Sequence, residues 1–165
     1  MSIRLSKIIL LMSVAVFASL IVFNNVTDYN SNYQFVQHVL SMDTTFPGNN
    51  GMWRAIRAPF FHHALYIVII LVETLTAVLC WWGTFQLWQA RQASITAFNQ
   101  AKKMGVFGLT TGIILFFAGF IIVGGEWFLM WQSPTWNGQQ GAFRFVTIMG
   151  IFLVYLVIPE REDNS

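Results

Sequence analysis

The sequence predicts an all-α polytopic membrane protein, a bundle of four transmembrane helices with a short amphipathic outer cap. Two observations carry that reading. Of the 165 residues, 56% are hydrophobic and only 10% charged, where a soluble domain carries about 25% charged residues. Four apolar runs, at residues 5–23, 63–85, 104–128 and 142–158, are each long enough to cross a hydrocarbon core at about 1.5 Å per residue. A net charge of +2 and a single cysteine, with so much apolar content, exclude a disordered chain, a disulfide scaffold and a nucleic-acid module. The spans leave no length for a separate soluble domain, so residues 1–165 read as one integral membrane domain.

In the first run, Arg4 and Lys7 precede the apolar stretch from Ile8 to Phe23. This resembles a signal peptide, but no small-x-small cleavage site follows, and the run reads as a retained anchor. The sequon Asn25-Val26-Thr27 bears only on a eukaryotic secretory pathway. The outer cap, residues 24–62, interleaves Tyr33, Phe35, Val36, Val39, Leu40 and Met42 with Asn32, Gln34, Gln37, His38 and Ser41, the spacing of a short amphipathic helix. Pro47, Gly48, Asn49, Asn50 and Gly51 break the chain. A second short segment, residues 52–58, presents Trp53, Arg54 and Arg57 before Pro59 opens the second span. The inner connection, residues 86–103, reads as helix continuing out of the bilayer and broken near Asn99. The tail, residues 159–165, reads as polar and frayed. No internal repeat is evident.

Orientation follows from the basic residues. With both termini cytoplasmic, that side holds Arg4, Lys7, Arg91, Lys102, Lys103 and Arg161, against Arg54, Arg57 and Arg144 outside. Tryptophan marks both interfaces, with Trp81, Trp82 and Trp88 at the inner end of the second span and Trp127, Trp131 and Trp136 at the outer end of the third and beyond it.

Function should show as polar groups at depth, since a charge near the bilayer centre costs at least about 2.5 kcal/mol. Glu73 is the main candidate, placed near the midplane of the second span. At 100° per residue His62, Tyr66, Glu73, Cys80 and Thr84 share one direction, a polar stripe that must face protein or water. Two readings follow: a relay for protons or cations, or a carboxyl that fixes helix packing through a hydrogen bond. The want of a second deep titratable group favours packing. In the third span Gly108, Gly112, Gly119 and Glu126 fall along one line, a small-residue strip for close helix approach. Arg144 is the expected partner of Glu126, with Arg54 or Arg57 beside it.

No metal or cofactor is expected. His62 and His63 are adjacent on one helix end and His38 lies in the cap, so a haem or copper site would need a pairing across the outer surface with no diagnostic spacing. Glycine-rich phosphate loops, G-x-S-x-G and H-E-x-x-H are missing from the chain, and no enzyme activity is expected.

Two stretches are more distinctive. Residues 41–49, Ser-Met-Asp-Thr-Thr-Phe-Pro-Gly-Asn, are followed by Trp53-Arg54-Ala55-Ile56. Residues 125–133, Gly-Glu-Trp-Phe-Leu-Met-Trp-Gln-Ser, are followed by Trp136-Asn137-Gly138-Gln139 and Ala142-Phe143-Arg144. Together these resemble the signature of the predicted small integral membrane proteins grouped as domain of unknown function 2165, over nearly the whole chain. The resemblance implies a bacterial inner-membrane protein with no established activity, and draws attention to the outer face beside Glu126 and Arg144.

Partners expected are the lipid bilayer and either a membrane-protein partner or a second copy of the chain, with no nucleic acid. The preferred role is an accessory or scaffold component. The alternative is a small oligomeric proton- or cation-coupled transporter or channel using Glu73, which needs an oligomer because four short spans rarely enclose a solute cavity.

Overall fold

In the computed structural model, which describes residues 2–160, four helical stretches are long and apolar enough to cross a membrane: Ile3–Thr27, Pro59–Gln89, Ile95–Trp127 and Gln139–Val157. No strand occurs among the described residues. The helices are α1 (Ser2–Thr27), α2 (Tyr29–Ser41), α3 (Pro59–Gln89), α4 (Ile95–Ala101), α5 (Lys103–Ile114) and α6 (Gln139–Val157). Between α5 and α6 the chain forms a π-helix, Leu115–Trp127.

The spans run up and down. At one end, the terminal end, Arg4 at the start of α1 donates to the Ala93 carbonyl after α3, and Lys7 donates to the Ile158 carbonyl after α6. At the other, the cap end, α2 and the short 3₁₀ turn Met52–Arg54 close over the bundle. The core splits accordingly. Leu11, Ala15, Cys80, Leu109 and Met149 belong to the main cluster, and Val36, Leu40, Met42, Tyr66 and Phe128 to a second cluster under the cap.

The first two spans outrun their apolar runs at both ends, because a helix stops where its backbone is interrupted and not where hydrophobicity falls. Pro59 at the start of α3 needs no intrahelical partner for its nitrogen. Beyond the first apolar run, α1 continues through polar residues to Thr27, whose hydroxyl donates to the Phe23 carbonyl at 2.7 Å. Helix α2 starts at Tyr29, a turn before the first residue of the amphipathic pattern, and ends where Met42 turns left-handed at φ 55°. The connection after α3 breaks at residues 90–94, earlier than near Asn99. There Ser94 caps α4 by accepting a hydrogen bond from the Ala97 amide. A second joint, at Lys102, separates α4 from α5.

In lipid, apolar surface supplies little drive for helix association, so close packing must supply it. Helices α3 and α5 meet through small residues. A Cβ at Gly83 would overlap the Gly105 backbone, and one at Gly108 would lie 2.8 Å from the Cys80 amide nitrogen. Further along, a Cβ at Gly112 would approach Met149 of α6 to 2.8 Å and Thr76 of α3 to 3.1 Å. The strip ends there. A Cβ at Gly119 would meet only Leu115 of its own helix, at 3.8 Å, and Gly119 is exposed. The physical reason is the change of helix type. A π-helix bonds each amide to the carbonyl five residues back, as Phe128 does to Val123, so residues beyond Leu115 advance by a smaller angle than on an α-helix. Gly119 and Glu126 therefore leave the line that holds Gly108 and Gly112.

Candidate functional site

The polar stripe of α3 faces inward: His62, Tyr66, Glu73, Cys80 and Thr84 are all buried. Below Glu73 the hydroxyls are used within the helix, Thr76 donating to the Val72 carbonyl and Thr84 to the Cys80 carbonyl. Glu73 is met from α1. The Asn25 side-chain amide donates to Glu73 Oε2 at 2.6 Å, while Tyr66 Oη donates to Asn25 Oδ1 at 3.2 Å and lies 3.3 Å from the Asn25 carbonyl. An amide has both donor and acceptor, so Asn25 joins an acceptor and a hydroxyl two turns apart on α3. Beside Glu73 a cavity of about 10 Å³, lined by apolar residues such as Phe17, Leu115, Phe116 and Met149 together with Thr76, has room for one water at most.

Asn25 escaped the sequence reading. At the end of an apolar run an asparagine reads as interfacial, and only the continuation of α1 to Thr27 keeps it within the bundle.

Toward the cap the network passes into stacked rings. Tyr29 packs on Tyr66 with ring centroids 4.6 Å apart, its hydroxyl bonds His63 Nδ1 at 2.9 Å, and Tyr33 stacks on His63 at 4.1 Å. Burial, with the neighbouring Tyr33, raises the Tyr29 phenol above its ordinary range. His62 donates from Nε2 to the Ile56 carbonyl at 2.7 Å, which pins the entry loop to α3 and leaves Nδ1 buried without a partner. His38 lies elsewhere, bonded to Asp43 at 2.8 Å and stacked on Trp136. Among the described residues no group of three or more His, Cys, Asp or Glu side chains is arranged to hold a metal ion.

The expected pair of Glu126 and Arg144 does not form. Both side chains are exposed, and the ion pairs among the described residues are Lys7–Glu160, Lys102–Glu160 and His38–Asp43. With the π-helix turning Glu126 off the packed line, its carboxylate stays in solvent-accessible space. Arg54 finds a different partner. Its Nη1 donates to the Trp127 carbonyl at 3.2 Å, and its guanidinium lies over the rings of Trp53 and Trp127. A cation here meets the carbonyl end of a helix, where the backbone dipole favours it.

A charged cluster closes the terminal end. Lys7 and Lys102 reach Glu160 at 2.6 and 3.5 Å, and each donates to the Ile158 carbonyl. Burial alone would raise the Glu160 carboxyl, but the hydrogen bonds and charges of Lys7 and Lys102 hold it below the usual carboxylate range. The start of the tail is thus tied down and not frayed; Asn99 accepts from the Glu160 amide as well. Arg161 and the rest of the tail lie outside the described residues.

No match was found among curated proteins, and none among solved structures. A family model does match: residues 3–159 fit the one described as "Predicted small integral membrane protein (DUF2165)". With four stretches able to cross a bilayer and a match over nearly its whole length, the chain belongs to this family of integral membrane proteins.

Proposed function

We propose that this protein is an accessory or scaffold component of the bacterial inner membrane, with both termini cytoplasmic, that works by packing beside a membrane partner and not as an enzyme. One observation carries the reading: the carboxyl at mid-span is engaged by a neighbouring helix inside the chain. Asn25 joins Glu73 to Tyr66, and the cavity beside Glu73 is about 10 Å³. A solute path needs continuous wet space, and this interior supplies a clamp between α1 and α3 instead. What a partner could meet faces outward, in the exposed Trp53, Phe60, Arg57 and Arg144. Orientation is supported by the described basic residues, Arg4, Lys7, Arg91, Lys102 and Lys103 at the terminal end against Arg54, Arg57 and Arg144 at the cap end. A reporter fused at Ser165 should signal cytoplasm and one inserted at Asn49 periplasm.

A second reading, a small oligomeric transporter or channel, has its own observation: a carboxylate at mid-span linked through Asn25 to Tyr66 and the cap. Proteoliposomes containing a pH-sensitive dye separate the two. No proton flux from wild type or Glu73→Gln supports the scaffold. Flux in wild type that Glu73→Gln abolishes overturns it, because glutamine keeps the shape and cannot release a proton.

A further inference from the structure

Helices α3 and α5 touch at Gly83 and Gly108 but part toward the cap, where an apolar groove of about 290 Å³ opens between α3 and the π-helix. Its mouth is formed by exposed Leu65 and Val68 on one side and Gly119 and Val123 on the other, and Val36 and Leu40 of α2 roof it. Since both walls belong to spans, the mouth faces the acyl chains of the membrane. From Leu115 to Val123 the wall runs roughly 10 Å at helical rise, most of the ~15 Å depth of one leaflet. A helix could not run on along the groove toward the cap, because Val36 and Leu40 of α2 roof that end.

At the roofed end stands a cation without a counter-ion. Arg54 is held on the carbonyl of Trp127, one peptide from Phe128 of the groove wall, and Ile56 and Met52 of the same loop pack on the cluster containing Val36, Leu40 and Phe128. The Trp127 carbonyl takes Nη1 and Nε is buried without an acceptor, which leaves Nη2 to meet a phosphate oxygen, and among the described residues no carboxylate pairs with Arg54 or the exposed Arg57. A guanidinium hydrogen bond to phosphate is charge-assisted. We propose that the groove between α3 and the π-helix holds an acyl chain of an anionic phospholipid from the cap-side leaflet, with its phosphate at Arg54. Glu126, beside Trp127 and exposed, opposes the headgroup charge and limits the preference.

The full chain, exchanged from detergent into equal dioleoylphosphatidylglycerol and dioleoylphosphatidylcholine and read by native mass spectrometry, tests this. Wild type should retain the glycerol lipid about fivefold over the choline lipid, the weight of one arginine at a membrane surface. Arg54→Gln should keep bound lipid but level the two, and Glu126→Gln should sharpen the preference. Gly119→Phe fills the groove from an open position and should release both lipids while the melting temperature holds; Val123→Phe at the mouth is the second filling variant should the first not fold. Equal retention by wild type, an unchanged preference in Arg54→Gln, or lipid retained in both filling variants overturns the site. So does a photocrosslinker at Val68 that captures a protein helix in place of lipid.

Discussion

At the residue scale the deciding contact is one asparagine. Glu73 at the middle of a span would be costly alone, yet it is met by the Asn25 amide at 2.6 Å, and the same side chain satisfies Tyr66. Removing Asn25 should therefore hurt more than neutralising Glu73. In Asn25→Leu both Glu73 and Tyr66 lose a buried partner, costing about 1 to 3 kcal/mol, while Glu73→Gln still offers Asn25 a carbonyl oxygen and should stay within about 1 kcal/mol of wild type. Thermal unfolding in detergent reads both, and a Glu73→Gln less stable than Asn25→Leu would contradict the arrangement. The stripe from His62 to Thr84 was legible in the sequence because a helical wheel depends only on periodicity. Its partner was not, since hydrogen-bonding across helices depends on register between α1 and α3, and no single-helix pattern contains that.

At the element scale the third span holds the main surprise. Its composition reads as one α-helix, and on that assumption Gly108, Gly112, Gly119 and Glu126 align. The change to π-helix at Leu115 breaks the alignment, so the sequence located the close approach at Gly108 and Gly112 and overextended it to Gly119. It also missed half of the contact, because Gly83 and Gly105 stand on different helices and become a pair only when α3 crosses α5. The glycines accordingly fall into two classes. Gly83→Leu would drive a side chain into the Gly105 backbone, and Gly112→Leu into Met149 and Thr76, with costs of about 1 to 3 kcal/mol or more, as overpacking gives. Gly119→Leu meets no neighbouring helix and should leave the unfolding temperature near wild type. Equal losses at all three positions, measured side by side, would mean that the strip continues up the span after all.

At the scale of the whole molecule each end is closed by a different chemistry, rings and a short helix at the cap, buried charge at the terminal end. Four spans were legible because hydropathy and length alone identify them. The terminal closure was hidden for the opposite reason: Lys7, Lys102 and Glu160 are 153 residues apart at the extremes of the chain, and each taken singly reads as loop charge. Together they fasten α1, the α4–α5 joint and the end of α6. Glu160 is the common partner, and its carboxyl is held below the usual carboxylate range. A depressed native pKa means that the unfolded chain binds the proton more readily. The stabilisation is therefore complete above the ordinary carboxylate pKa and drains away as pH falls through the lower native value. Wild type should lose unfolding temperature on acidification through that window. Glu160→Gln should start lower at pH 7, by up to about 3 kcal/mol because two buried lysines lose their counter-ion, and then fall less steeply with acid. Parallel acid profiles for wild type and Glu160→Gln, at any starting temperature, would show that the latch contributes no pH-dependent stability.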